Sequence, residues 1–78
     1  MGKMTPYAGA GRGSGIVAYR LGRGFIDVQF EDGTVYRYDD GHPGAAAVEA
    51  MGKLAQAGAH LNTYINKHVR DNFAAQLQ

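Results

Sequence analysis

Residues 25–38 constrain this chain more than any other segment. Ile26, Val28 and Phe30 alternate with Asp27 and Gln29, and after Glu31-Asp32-Gly33 the chain continues into Thr34-Val35-Tyr36-Arg37-Tyr38. Period-two alternation around a Gly-containing turn is the signature of a β-hairpin. A two-residue Asp32-Gly33 turn would pair Phe30 with Val35 and Val28 with Arg37, and set both tyrosines beside Asp27 and Gln29. A three-residue Glu31-Asp32-Gly33 turn, with Gly33 left-handed, pairs Val28 with Tyr36 and Ile26 with Tyr38. One face then carries Ile26, Val28, Phe30, Tyr36 and Tyr38, and the other Asp27, Gln29, Val35 and Arg37. A one-residue slip turns every side chain of a strand over, so burial decides the register. The three-residue turn is the expectation.

The segment before it reads as another strand, residues 14–21, in which Val17, Tyr19 and Leu21 alternate with Ala18 and Arg20. Leu21-Gly22-Arg23-Gly24 suggests a two-residue turn with Gly22 at the positive-φ position. That turn sets Tyr19 opposite Ile26 and Val17 opposite Val28. Residues 1–13 read as a flexible arm, since Gly9, Gly11 and Gly13, with Gly15 beyond, are separated by single residues, Ala10, Arg12 and Ser14, with nothing that can pack. The run is not a phosphate-binding loop, because no Lys-Ser or Lys-Thr follows it.

After the breaker cluster Asp39-Asp40-Gly41-His42-Pro43-Gly44 the period becomes helical. Over residues 45–57, Ala47, Val48, Met51, Leu54 and Ala55 share one side, and Glu49 and Lys53 form an i,i+4 pair on the other. Gly52 weakens this helix by about 1 kcal/mol relative to Ala, and Gly58 is a natural stop. Asn62 or Thr63 is placed to cap a second helix. Leu61, Tyr64, Ile65, His68, Val69 and Phe73 form its apolar face, with Thr63, Asn66, Lys67 and Arg70 opposite. Residues 74–78 are expected to fray. The fold class is α+β: a three-stranded antiparallel meander followed by two helices packed on one sheet face.

The chain has 78 residues, 45% of them hydrophobic, and no cysteine. One small domain follows, held by an apolar core without disulfides, for which self-association would be a useful supplement. Eight Lys or Arg against seven Asp or Glu give a net charge of +1, which is not the footprint of a protein that grips a duplex by charge alone. No apolar run reaches the roughly 20 residues that span a bilayer, and the first residues lack the apolar core of a signal peptide. A cytoplasmic protein without membrane contact or cofactor is the expectation.

The ordered part of the chain, residues 14–73, resembles the KTSC domain, a small module found at the C-terminus of some lysyl-tRNA synthetases. Tyr19, then Ile26, Val28 and Phe30 with Asp32-Gly33, then Tyr36-Arg37-Tyr38, then Tyr64-Ile65-Asn66, Val69-Arg70 and Phe73 carry the resemblance. Asn62 stands where the family often has Gly, and Ser14 where an apolar residue is usual. The resemblance implies the fold just derived and an RNA-binding role, and it brings no catalytic residues.

Catalysis has little in the sequence to support it. Ser14 is the sole serine and lies beside the glycine-rich arm, and no nucleophile–His–carboxylate set is suggested. His42, His60 and His68 have no zinc spacing, and Asp39, Asp40 and His42 fit turn chemistry better than metal ligation. The expected function is a non-enzymatic RNA-binding module. Arg20, Arg23, Arg37, Lys67 and Arg70 are its phosphate contacts and Asn66 a base or phosphate contact, with Lys3 and Arg12 adding non-specific attraction. Phe25, Tyr36 and Tyr38 are its stacking candidates, although the chosen register turns both tyrosines under the helices. The competing expectation is a protein-interaction or self-assembling module, possible also for a phage protein that captures a host factor or a small nucleotide. There Ile16, Ala18, Phe25 and Val35 form an apolar centre on the open sheet face.

Overall fold

The computed structural model describes residues 4–8, 15–69 and 72–78. Its single sheet has five antiparallel strands in chain order. They are β1 (Thr5–Pro6), β2 (Ile16–Gly22), β3 (Phe25–Phe30), β4 (Val35–Asp39) and β5 (Ala75–Gln76). Between β4 and β5 lie α1 (Ala45–Ala57), α2 (Leu61–Tyr64) and a π-helical turn, Ile65–Val69, that continues α2. The protein is therefore α+β with a helical layer on one sheet face, but the sheet has two more strands than the meander read from the sequence.

The β3–β4 hairpin has the three-residue turn. Phe30 and Thr34 close it, with the Phe30 N–H donating to the Thr34 carbonyl at 2.8 Å. Gly33 has φ +89°, which an L-residue adopts only at a cost. Val28 pairs with Tyr36 and Ile26 with Tyr38. The apolar face of this hairpin is the core face, where Ile26, Val28 and Tyr38 are sealed against Met51, Leu61 and Ile65.

The β2–β3 hairpin departs from expectation in register. Its loop is Arg23-Gly24, Gly22 pairs with Phe25, and Tyr19 faces Val28. Gly24 rather than Gly22 is left-handed, with φ +78°. Phe25 supplies the reason: its ring lies on Gly22, and a Cβ there would stand 2.0 Å from Phe25 Cε1. Gly22 is thus a strand residue whose bare backbone receives a cross-strand ring. Moving the pairing by two residues keeps every side chain on its face, so Tyr19 still enters the core.

A second correction lies at the start of β2. The register shifts between Ile16 and Ala18, which leaves Val17 as the extra residue of a β-bulge. Ile16, opposite Phe30, therefore enters the core with no exposed surface, in the place expected for Val17. Ile16 is not part of an open apolar face.

Both chain ends are also more structured than expected. Thr5 and Pro6 pair with Tyr19 and Ala18. Tyr7 is buried in the core, and its hydroxyl accepts the Leu61 N–H at 3.2 Å. That bond satisfies one of the orphan amides at the start of α2. Residues 74–78, expected to fray, add the fifth strand: Tyr36 pairs with Gln76 and Arg37 with Ala75. Residues 1–3 and 9–14, which include the rest of the expected arm apart from residues 4–8, lie outside the described residues.

In the helical layer α1 has the expected bounds. Gly58, left-handed at φ 73°, ends it by donating to the carbonyls of Leu54 and Ala55. Neither Asn62 nor Thr63 caps α2. That helix starts one turn-forming residue after Ala59, at left-handed His60, so Asn62 is already inside it. Leu61, Ile65 and Val69 are buried, and His68 is not. Spacing by four stays on one face because the π turn widens the helix there.

Candidate functional site

On the sheet face away from the helices, Arg20 of β2, Asp27 of β3 and Arg37 of β4 stand opposite one another in a single cross-strand line. Arg20 donates from Nε and Nη2 to Asp27 Oδ2 at 3.0 and 2.6 Å. Arg37 donates from Nε to Oδ1 at 2.7 Å and from Nη2 to Oδ2 at 3.0 Å, a two-pronged pairing. The carboxylate is fully buried, whereas the arginine side chains keep 29% and 34% of their surface exposed. The line therefore keeps two partly exposed guanidinium groups over the buried Asp27 carboxylate, and the Asp39 charge also acts on Arg37.

Burial alone would push the Asp27 carboxyl up, but the hydrogen bonds and charges of Arg37 and Arg20 outweigh it and hold the pKa below the usual carboxylate range. The same hydrogen bond raises Arg37. Next along β3, Phe25 carries the Arg37 guanidinium over its ring, 4.1 Å from the centroid. Arg37 is thus gripped by a carboxylate at its edge and an aromatic ring beneath its plane.

The other expected site residues are dispersed. Arg23 is exposed in the β2–β3 loop, one end of the same hairpin. Asn66 and Lys67 are exposed on the π turn, on the solvent side of the helical layer, where Asn66 Nδ2 donates to Asn62 Oδ1 at 3.3 Å. The sheet separates them from Arg20 and Arg37. Arg70, like Lys3 and Arg12, lies outside the described residues.

Neither tyrosine of the Tyr36-Arg37-Tyr38 motif lies open for stacking. Tyr38 is only 1% exposed, and burial, with Tyr36 nearby, pushes its phenol up to about 12. Tyr36 is half-buried between Phe30 and Phe73, whose ring centroid is 4.4 Å away. Of the three stacking candidates, Phe25 alone belongs to the arginine face. Nor does that face have the apolar centre expected for a protein interface: Ile16 is in the core, and Ala18 and Val35 are only 8% and 7% exposed.

A concavity escaped the sequence reading. The tip of the β2–β3 hairpin and the first half of α1 enclose an open cleft of about 300 Å³, lined mainly by apolar atoms of Leu21, Phe25, Val48 and Gly52, with Asp40 and Glu49 among its walls. Nothing local announces it, because its walls come from segments far apart in the chain. Among the described residues no three His, Cys, Asp or Glu groups are placed to hold a metal ion, and no helix is long and apolar enough to cross a membrane.

No family model, curated protein or solved structure matches this chain.

Proposed function

We propose that the protein is a non-enzymatic binding module whose open sheet face takes single-stranded RNA. The observation that carries the reading is the Arg20–Asp27–Arg37 line, with Arg37 stacked on Phe25. Two partly exposed guanidinium groups flank one buried carboxylate in that line. Asp27 and Phe25 hold Arg37 in place, so little side-chain entropy is lost when a phosphate or base arrives. A guanidinium plane is itself a stacking surface for a base, and Phe25 supports that plane from below. Arg23 extends the positive charge toward the hairpin tip. The resemblance to the KTSC domain points the same way.

The test is an amide NMR titration with short unstructured RNAs at low and high salt. Shifts should centre on Arg20, Asp27 and Arg37 and weaken as salt rises, with a slope of about −0.7 per phosphate neutralised. Arg37→Ala should weaken binding about tenfold, by loss of a charged contact. Binding that ignores salt, or no shifts on this face at low salt, would reject the reading.

A further inference from the structure

The cleft between the β2–β3 turn and α1 differs in character from the sheet face. We infer that it receives the aliphatic side chain of an arginine or lysine displayed by a polypeptide partner. The charge of its walls selects the sign of the occupant: Asp40 and Glu49 line it, and among the described residues no Lys, Arg or His does. Both ionisable lining residues are thus acidic, on a chain whose net charge is +1, and the Arg23 side chain, though in the adjoining loop, is not among the walls. Lys53 reaches Glu49 only from outside, at 3.9 Å with both side chains more than three-quarters exposed. Such a pair contributes little and exchanges readily.

Shape selects the rest. Leu21 is one of the few large apolar side chains left exposed, at 41%, and it lies against the bare backbone of Gly52, 3.4 Å from where a Cβ would stand. Gly22 and Gly24 add no side chain that would fill the opening. Apolar walls leading to carboxylates match a side chain that buries a hydrocarbon stem and keeps a charged head at the rim. At about 300 Å³ the cleft is at the small end of ligand pockets, and its open side leaves a free small molecule half in water. A polypeptide that carries the side chain would cover that side itself.

The experiment is a titration of the full ¹⁵N-labelled chain with acetyl-Gly-Arg-Gly-amide, its citrulline counterpart and free butylguanidinium, each to about 10 mM, the range of a weak single-side-chain contact. The Arg peptide should shift the Gly22, Gly24 and Gly52 amides saturably, and the citrulline peptide should bind about tenfold more weakly for want of charge. Asp40→Asn and Glu49→Gln, tested separately, should each weaken the response severalfold with the rest of the spectrum unchanged. Both groups are exposed, so neither change should threaten the fold. Silent glycine amides, equal binding of the citrulline peptide, or wild-type affinity in both variants would overturn the inference. Butylguanidinium binding as tightly as the peptide would overturn the polypeptide source. The outcome is independent of the RNA reading, whose reporters are Arg20, Asp27 and Arg37.

Discussion

At the centre of β3 the two faces bury their side chains by opposite means. Ile26 and Val28 have no exposed surface because apolar groups of the helical layer cover them, and Asp27, between them in sequence, has none because two arginines cover it. The apolar face gains by exclusion of water, and Ile26 and Val28 bring no ionisable group to it. The charged face trades desolvation against ion pairing, so its net contribution to stability is small, while the loss of one partner is costly. The apolar seal uses side chains that have no other task. The charged seal uses guanidinium groups that remain partly exposed, and it is on them that the RNA reading proposed above depends. A single strand thereby separates an apolar seal from a charged one by side-chain alternation.

The sharpest way to break this contrast is to damage each face in turn. Ile26→Ala should have the largest effect, a loss of about 3 kcal/mol in denaturant unfolding, because the fully packed core around it cannot collapse into the space. The loss should be the same at pH 7 and pH 4, since no ionisable group is removed.

Asp27→Asn should come next, at about 2 kcal/mol at neutral pH; the arginines it leaves behind, already partly exposed, can turn to water, which limits the penalty. Its pH dependence separates the faces. The folded-state pKa of Asp27 lies below the unfolded value of about 3.9. The stabilisation is therefore complete above that unfolded value and disappears as pH falls through the folded one. Unfolding curves recorded from about pH 5 to pH 2 should show a shallower acid loss in Asp27→Asn than in the parent. An identical acid limb in both would mean that Asp27 is not coupled to folding.

Gly22→Ala should cost about 1 kcal/mol and act where Phe25 joins the open face to the cleft, leaving the core in place. The new methyl group occupies the place of the Phe25 ring, and the ring must move from beneath Arg37, with loss of a cation–π contact of about 0.5–1 kcal/mol. Ring-proton shifts of Phe25 would report the movement, while the core signals of Ile26 and Val28 should stay in place. Tyr7→Phe should have the smallest effect, about 1 kcal/mol or less, by removing the acceptor of the Leu61 N–H. Hydrogen exchange of the Leu61 amide should accelerate with little change elsewhere.

The sequence by itself determined the β3–β4 register, the side-chain faces of that hairpin, the bounds of α1 and the pairing of Arg37 with Asp27. These follow from local rules: period-two alternation, a left-handed glycine in a turn, a helical stripe and a left-handed glycine at its end. Local rules also located Arg20, Phe25 and Arg37 on one face, although not the second arginine bond that turns the pair into a line.

Tertiary structure decided the rest. Whether Gly22 or Gly24 took the left-handed position depended on where the Phe25 ring lay. Ile16 displaced Val17 from the core through a bulge that depends on what the sheet edge packs against. Tyr7 and residues 74–78 carry weak local signals, since two-residue strands have almost no periodicity, and each was ordered by an existing strand edge that offered its unpaired N–H and C=O groups. The acidic cleft joins a hairpin tip to a helix distant in the chain. Contacts of that kind depend on how the elements pack, which no local pattern encodes.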